Sequence, residues 1–353
     1  MSAKSKSKLK TDILIIAVFL AVVLVVTGVL ILSRPPPSSN TKLRLGYFPN
    51  MTHGPALYGV YTGIFQQYIG NNTTLETKTF NAGPTAITAL LANDVDIIYV
   101  GPSPTISGLA ASGSDVLRII SGAASGGALF VVHPNIDLNS SANYSGKKFA
   151  TPQLGNTQDV ALKHYLLSIG HNTKDKGGDV DVINAQNSDI LTLFKQHQID
   201  GAWVPEPWAT RLVLEGGGKV VFDERTLWPN GEFVTTHIVT TKSYLENHQD
   251  IVKKFLDANI EAINQINSNP AHATSVINDA IFTITGSRLA NNTITVSFNN
   301  LNFTYDPLKT SFETQMQWSK DLGFINALQD TNTAYDLRCL NEILSKRNLP
   351  VVK

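Results

Sequence analysis

The sequence predicts an α/β protein whose larger part folds into two similar lobes. From Leu43 onward, short apolar runs alternate with helical patterns, which is typical of a largely parallel sheet covered by helices on both faces. The same alternation begins again near Lys148, and two apolar or β-branched segments flank this second set. These segments, residues 128–133 and 233–240, are placed to cross between the lobes. We therefore expect two α/β lobes joined by two crossing segments.

The first set of elements has a turn after each strand, where open α/β sheets bind their ligands. Strands are predicted at residues 43–47, 75–80 and 97–100, and helices at residues 55–68 and 84–92. The turns follow at residues 48–50, 81–84 and 101–104.

The second set repeats this arrangement. Asp96 and Asp200 each precede four strand residues and then a turn, so two similar lobes are the economical explanation. Strands are predicted at residues 148–151, 180–183 and 201–204, helices at 157–169 and 190–196, and later helices at 242–267, 271–281 and 312–322. Predicted lobe I comprises residues 42–130 and 237–353, and predicted lobe II comprises residues 131–236.

The N-terminal part of the chain predicts a membrane anchor. Residues 13–32 carry no charge and would span about 30 Å as a helix, while four lysines precede them. Because positive charge stays cytoplasmic, residues 1–12 form a cytoplasmic head, residues 33–41 a linker, and the rest lies outside the cell membrane or in a periplasm. A cleavable signal peptide is the alternative, although the apolar run is long and lacks a small-x-small end. Lipid attachment would need a cysteine there, and the only cysteine is Cys339.

Composition excludes several classes of protein. Without residues 1–40 the chain has 23 basic and 27 acidic side chains, a formal charge of −4, so no nucleic-acid surface is expected. One cysteine excludes an internal disulfide framework. The eight histidines are scattered, so neither a metal site nor a cofactor is predicted. A hydrophobic content of 42% allows substantial cores.

A strand-to-helix connection at residues 151–159 is suited to an anion. Asn156 is the expected N-cap, with Asp159 in capping-box position and Gly155 allowing a tight turn. Free N–H groups and the helix dipole at such a start attract an anionic oxygen without a formal cation. An ordinary capped helix is the alternative interpretation.

Two further segments supply candidate groups. Ser103, Ser125 and Gly126 lie in short turns of predicted lobe I and offer hydroxyls and backbone donors, as do ordinary loops. In WVPEPW, at residues 203–208, Glu206 is predicted to accept a hydrogen bond from a ligand amine or to cap a lobe contact, and Trp208 to wall the cleft. Alternatively, Glu206 only caps the following helix.

At these residues the chain resembles the solute-binding proteins of ABC importers for nitrate, sulfonate and taurine. The likeness covers about residues 43–322 and rests on segments 45–53 (LGYFPNMTH), 81–84, 99–104, 123–128, 150–159, 203–208 and 233–237. It implies a type II periplasmic-binding-protein-like fold, with two α/β lobes and two crossovers, that closes on its ligand. Relatives are often lipidated or released, and this chain departs from them in its predicted membrane helix. The candidate ligand-binding residues are Asn50, His53, Gly101, Ser103, Ser125, Gly126, Gln153, Gly155, Asn156, Thr157, Glu206, Trp208, Thr236 and His237.

The expected function is extracytoplasmic capture of a small oxyanion for import. The partners implied are a small anionic solute and the ABC permease and ATPase subunits, and we expect a monomer. Micromolar binding needs about −8 kcal/mol, whereas one helix terminus supplies about 0.3–2 kcal/mol, so both lobes must contribute. A sulfonate, taurine or nitrate suits this site, and bicarbonate or a pyrimidine stays open.

Two other classes of function are alternatives to import. The first is an enzyme of pyrimidine or menaquinone precursor metabolism, since this fold hosts such catalysts. The iron site of the pyrimidine-precursor synthases needs several cysteines, and neither Gly-x-Ser-x-Gly nor His-Glu-x-x-His occurs. The second is a membrane-tethered ligand sensor, but no signalling domain follows. We therefore expect a binding protein without catalytic activity.

Overall fold

Two mixed sheets carry the fold, one of six strands and one of five. The computed structural model of the protein describes residues 41–353. We call the six-stranded sheet and the helices packed on it the first lobe, and the five-stranded sheet with its helices the second lobe. The strand orders are β11-β4-β10-β3-β1-β2 and β7-β6-β8-β5-β9. The strands are β1 (Thr41–Tyr47), β2 (Thr73–Thr79), β3 (Ile97–Val100), β4 (Leu117–Gly126), β5 (Ala128–Val132), β6 (Lys148–Pro152), β7 (Asp181–Ala185), β8 (Gly201–Pro205), β9 (Lys219–Asp223), β10 (Val234–Thr241) and β11 (Leu301–Phe303).

Fourteen α-helices of the described residues cover these sheets, and five short 3₁₀ helices lie in the connections between elements. They are α1 (Gly54–Tyr61), α2 (Ile64–Ile69), α3 (Gly83–Leu91), α4 (Pro102–Ser112), α5 (Thr157–Ser168), α6 (Asn187–Lys195), α7 (Trp208–Leu214), α8 (Lys242–Asn247), α9 (Gln249–Ser268), α10 (Pro270–Thr285), α11 (Asn291–Asn299), α12 (Lys309–Asp321), α13 (Thr331–Ala334) and α14 (Arg338–Lys346).

The predicted N-terminal segments lie outside the described residues. This applies to the head at residues 1–12, the anchor at residues 13–32 and nearly all of the linker at residues 33–41. Within residues 41–353, no helix combines the length and the apolar character needed to span a bilayer.

Apart from the edge strand β11, which is antiparallel to β4, each sheet contains one strand that runs against its neighbours, so the expectation of largely parallel sheets was wrong. In the first sheet β1 and β3 are parallel, whereas β10 is antiparallel to both β3 and β4. In the second sheet β6 is parallel to β7 and β8, whereas β5 is antiparallel to β8 and β9. The reversed strands are the ones that the chain inserts on passing from one sheet to the other.

The passage between the sheets is shorter than predicted. Residues 128–133 and 233–240 were expected to cross between the lobes, but they form β5 and β10, each within one sheet. The chain changes sheet between β4 and β5 at Gly127, and again just before β10. Gly127 has φ +71°, and a Cβ there would overlap the Leu301 side chain, so this abrupt passage requires glycine. The exact boundaries of predicted lobes I and II stay a prediction.

Apolar side chains cover both faces of both sheets, as expected. Along β3, Ile97 and Tyr99 belong to one buried cluster and Ile98 and Val100 to another, because successive strand residues face opposite sides. The residues of β5 alternate between two further clusters in the same way. Because both faces of each sheet are covered, the carboxyl ends of the strands form the polar edge that stays accessible.

Two long predicted helices are each divided in the structure. The predicted helix 55–68 is α1 and α2, separated by Gly63 in the left-handed conformation. The predicted helix 242–267 is α8 and α9, divided at His248. Strand β4 was not predicted, because six of its ten buried residues are Gly, Ala or Ser, which have low strand propensity.

Candidate binding site between the lobes

A small cavity lies between the two sheets, where strands of both lobes end. Its volume is about 20 Å³, roughly the space needed for one water molecule. Strands β1 and β3 of the first lobe and β6 and β8 of the second end here, at the point where strand order reverses in each sheet. No side chain that lines it is a lysine, arginine, aspartate or glutamate. The lining residues are Phe48, Asn50, Thr52, His53, Asn81, Gly101, Asn156, Thr157, Gln158, Asn187, Pro205, Thr235 and Thr236.

A second, larger pocket adjoins this cavity. The two share Asn81 and Asn187, and the larger one has a volume of about 300 Å³. Its lining includes Gln153 and, like the cavity, contains no acidic or basic residue. The cleft therefore offers polar and apolar contacts but no formal charge.

Four helices begin at this cleft, two from each lobe. Gly101 is the N-cap of α4 and Asn156 the N-cap of α5, and both line the cavity. Helix α6 starts at Asn187, also in the lining, and the N-cap of α3, Ala82, lines the adjoining pocket. Because a helix N-terminus carries a partial positive charge and unpaired N–H groups, this convergence favours an anion.

The start of α5 differs in detail from the predicted capping box. Asn156 is the N-cap, as expected, but its side chain makes no cap hydrogen bond. The Gly155 N–H donates to the Asp159 carboxylate at 2.9 Å, and the Asn156 N–H donates to the Gln153 carbonyl. The next two N–H groups, of Thr157 and Gln158, have no acceptor within residues 41–353. The donors available to an anion are therefore those of Thr157 and Gln158, and not that of Gly155.

A buried ion pair holds this helix start in place. The Asp159 carboxylate, which is fully buried, accepts hydrogen bonds from Lys163 Nζ at 2.9 Å, Thr151 Oγ1 at 2.8 Å and Asn184 Nδ2 at 2.7 Å, besides Gly155. Its four donors leave it little capacity for a ligand, so it acts as support beneath the site.

Several buried polar atoms at the cavity lack a partner. Thr157 Oγ1, Thr236 Oγ1 and Asn187 Oδ1 are buried without a hydrogen-bond partner in the described protein, and so is Ser103 Oγ in the first turn of α4. Buried polar atoms are rarely left unpaired, so such a group at a site calls for an external partner. The hydroxyls of Thr157 and Thr236, which line the cavity from opposite lobes, are potential donors to an anion.

His53 adds a neutral donor. It is 2% exposed, and its Nδ1 accepts the Phe48 N–H at 3.3 Å, which places the proton of the neutral ring on Nε2. Burial lowers the pKa of His53 to about 3, so the ring is uncharged at neutral pH.

Because neutral His53 is buried, we expect the folded protein to lose stability in acid. The variant His53→Gln should not show this part of the loss. The folded-state pKa lies below the unfolded value of 6.5, so the unfolded chain binds the extra proton between about pH 6.5 and 3 and stability is lost as the pH falls through that range. From pH 6 to 4, the free energy of unfolding of the parent should fall by about 1.4 kcal/mol per pH unit relative to the variant. Urea unfolding of both proteins at these pH values measures it, and parallel pH profiles would contradict it.

Hydrogen bonds tie the lobes together around the cavity. Trp208 Nε1 donates to Asn50 Oδ1 at 3.0 Å, and the Met51 N–H donates to the Glu206 carbonyl at 3.2 Å. On the side of the larger pocket, Asn81 Nδ2 donates to Gln186 Oε1 at 3.2 Å. The lobes are thus in contact on two sides of the cleft.

The structure brings together six of the fourteen predicted site residues. Asn50, His53, Gly101, Asn156, Thr157 and Thr236 line the cavity, and Gln153 lines the adjoining pocket. The other seven do not line either pocket: Ser103, Ser125, Gly126, Gly155, Glu206, Trp208 and His237.

The residues outside the lining have other partners. Ser125 Oγ accepts the Phe233 N–H, and the Gly126 carbonyl accepts from Thr235 Oγ1, both next to a passage between the sheets. His237 is fully buried with Nε2 2.8 Å from Thr105 Oγ1, and burial lowers its pKa to about 3. Glu206 bonds to both lobes without reaching the cavity.

Sequence reasoning missed several lining residues. Asn81 and Asn187 each follow a strand end and precede or begin a helix, so the rule that selected Gly101 and Asn156 would also have selected them. Thr52, Gln158 and Thr235 are neighbours of predicted residues. Within residues 41–353, no group of three or more His, Cys, Asp or Glu side chains is arranged so that it could hold a metal ion.

The fold and the cleft define a two-lobed binding protein of the periplasmic type. The family model described as the NMT1-like family matches residues 36–279, and the chain belongs to this family. The family resemblance predicted from the sequence is thereby confirmed.

Known proteins similar to this chain are named for binding taurine, an alkanesulfonate or nitrate. The taurine-binding periplasmic protein of Escherichia coli is 28% identical over 204 residues, which are 57% of this chain and 60% of that protein's length. Among solved structures, the alkanesulfonate-binding protein SsuA from Xanthomonas axonopodis bound to MOPS superposes with a TM-score of 0.68 at 17% identity, over 84% of this chain and 98% of that one. The nitrate-binding protein NrtA from Synechocystis gives a TM-score of 0.71 at 16% identity, over 88% and 90% of the two chains. At these identities the two structures show the fold alone.

Proposed function

We propose that this protein is the extracytoplasmic solute-binding component of an ABC importer, which captures a small oxyanion between its lobes and delivers it to a permease. The solute is a sulfonate, a taurine-like compound or nitrate. The observation that carries this proposal is the uncharged cavity at which helix starts from both lobes meet, with buried hydroxyls that lack partners. The names of the taurine-, alkanesulfonate- and nitrate-binding relatives support the same class of ligand.

The groups at the cleft are sufficient for micromolar affinity only when both lobes contribute. One helix terminus supplies about 0.3–2 kcal/mol and one hydrogen bond to a charged group about 1.5–3 kcal/mol, whereas a micromolar Kd requires about −8.2 kcal/mol. Two lobes, each with two helix starts and a hydroxyl, exceed that value at the upper end of these ranges, before the cost of association is subtracted. A single lobe does not, so closure is part of binding in this proposal.

A membrane helix at residues 13–32 would hold the binding domain at the outer face of the membrane. The uncharged run of twenty residues behind four lysines supports this part of the proposal. Resistance of the full-length protein to extraction from membranes by alkaline carbonate tests it, and release into the soluble fraction would contradict it.

Thermal unfolding of the purified protein tests the proposed ligand class. We expect methanesulfonate, nitrate or taurine to raise the Tm, since a ligand at about a hundred times its Kd stabilises the folded state by about 2.7 kcal/mol. Thr157→Val keeps the side-chain shape but removes the unpartnered hydroxyl, and should weaken binding by about tenfold or more.

The matched control for this test is Thr192→Val, which removes an exposed hydroxyl on α6. Its ligand-induced rise in Tm should equal that of the parent. If none of the anions raises the Tm, or if Thr157→Val responds like the control, the proposed function is wrong.

A further inference from the structure

The Glu206 carboxylate lies outside the cavity yet is fully buried at the junction of the two lobes. It follows the last residue of β8, and its backbone N–H donates to the carbonyl of Gly127, at which the chain passes between the sheets. The side chain is 0% exposed. A buried carboxylate requires hydrogen-bond donors around it. The lobe that supplies each donor therefore shows which parts of the protein the carboxylate joins.

Four donors surround this carboxylate, two from each lobe. From the second lobe, Thr210 donates through its N–H at 3.1 Å and its Oγ1 at 2.8 Å. From the first lobe, Ser297 Oγ donates at 3.1 Å and Asn300 Nδ2 at 2.6 Å. Each carboxylate oxygen thus accepts one bond from either lobe.

The two pairs of bonds respond differently to a change in the angle between the lobes. Thr210 lies on α7, in the same lobe as Glu206, so its two bonds do not depend on that angle. Ser297 and Asn300 lie at the end of α11, whose Ile294 packs in the core of the first lobe. Rotation about the passage at Gly127 must move these two donors relative to the carboxylate, and a hydrogen bond weakens steeply once its geometry is lost.

We propose that Glu206 is a hinge clasp: its bonds to Ser297 and Asn300 favour the closed angle between the lobes and so raise the affinity of the cleft for its anion without touching it. The effect on affinity rests on the proposed function, whereas the effect on the lobe angle does not. Glu206 is therefore a positioning residue, which agrees with the lobe contact that the sequence left open beside a ligand contact and a helix cap.

A pair of hydroxyl deletions tests the clasp. Ser297→Ala and Thr210→Val each remove one hydroxyl bond to the same carboxylate, the first across the lobes and the second within one lobe. Because apparent affinity scales with the population of the closed state, Ser297→Ala should weaken methanesulfonate or nitrate binding by about tenfold, and Thr210→Val by less than about twofold. Calorimetric titration of the full-length protein in detergent gives both values.

The lobe angle is measured in the same proteins without relying on a ligand. Spin labels at Thr88→Cys on α3 and Ser188→Cys on α6 report the distance across the cleft, since both positions are exposed and the native Cys339 is only 2% exposed. Ser297→Ala should shift the distance distribution to longer values, while Thr210→Val keeps that of the parent.

Each combination of results decides the proposal. A longer distance in Ser297→Ala alone supports the clasp, even if no anion binds the parent and the proposed function fails. Distance distributions that are the same in Ser297→Ala, Thr210→Val and the parent overturn it, even if the anions bind. Equal losses of affinity in the two variants overturn it as well.

Discussion

Replacement of Asp159 by alanine is expected to produce the largest loss of stability of any single change at the site. The substitution leaves the Lys163 ammonium, whose side chain is 9% exposed, without its 2.9 Å ion-pair partner. It also removes the acceptor of Thr151, Asn184 and the Gly155 N–H. Breaking a buried pair in this way costs about 3–5 kcal/mol, which urea unfolding monitored by tryptophan fluorescence will measure.

An exposed ion pair provides the control for this prediction. Glu342 pairs with Lys253 and Lys346, whose side chains are 31% and 71% exposed, and is itself 42% exposed, so Glu342→Ala should produce no comparable loss. Because Asp159 also fixes the turn before α5, Asp159→Ala should abolish anion binding even at temperatures where the protein stays folded. If Asp159→Ala is as stable as Glu342→Ala, the network beneath α5 is dispensable.

The second large effect is expected at Gly101, whose backbone lies directly against Thr157 of the other lobe. A Cβ built on Gly101 would overlap Thr157 Oγ1 of the opposite lobe and lie 3.4 Å from the Thr235 carbonyl. Its φ of −76° is one that alanine adopts freely, so the strain in Gly101→Ala arises between the lobes. Overpacking of about 1–3 kcal/mol in the closed state should weaken anion binding about tenfold to hundredfold, as measured by calorimetry.

A second substitution separates this clash from a local effect on α4. In Gly101→Ala combined with Thr157→Ala, the Thr157 oxygen is gone, and the remaining Cβ lies 3.5 Å away, in ordinary contact. The double variant should recover the closed distance between labels at Thr88 and Ser188, although its affinity stays low because the hydroxyl is missing. If Gly101→Ala binds anions like the parent, the close approach of the lobes has no role in binding.

Local sequence patterns predicted the parts of the site that follow from strand ends and helix starts. Gly101, Asn156 and Thr157 were selected because each stands where a strand gives way to a helix, and the structure places all three at the cavity. Such positions are set by backbone geometry that depends on a few neighbouring residues. Asn81 lies in a predicted turn and Asn187 begins the helix that follows β7, so both fit the same pattern, although neither was among the candidate residues.

The parts that sequence reasoning missed depend on partners far away in the chain. The role of Glu206 was left open between ligand contact, lobe contact and helix cap, and the deciding donors, Ser297 and Asn300, are more than ninety residues distant. Gly155 was expected to offer its N–H to an anion, but Asp159 is the acceptor, together with Lys163 and Asn184. Competition between acceptors for one donor is decided by tertiary packing, which a local pattern does not contain.

Strand β10 shows the same limit at the level of the fold. Its β-branched composition predicted an extended segment correctly, but its place between β3 and β4, and its reversed direction, are set by pairing with residues more than a hundred positions earlier. The strand order could not be read from composition, and the expectation of largely parallel sheets failed for that reason.

A crystal structure of the protein with methanesulfonate tests directly whether the helix starts and hydroxyls of both lobes hold the anion. We expect sulfonate density between the lobes, within hydrogen-bond distance of the N–H groups of Thr157 and Gln158 and of a hydroxyl on the first lobe. Density held instead by lysine or arginine side chains on the surface, or a cleft without the anion at concentrations that raise the Tm, would contradict it.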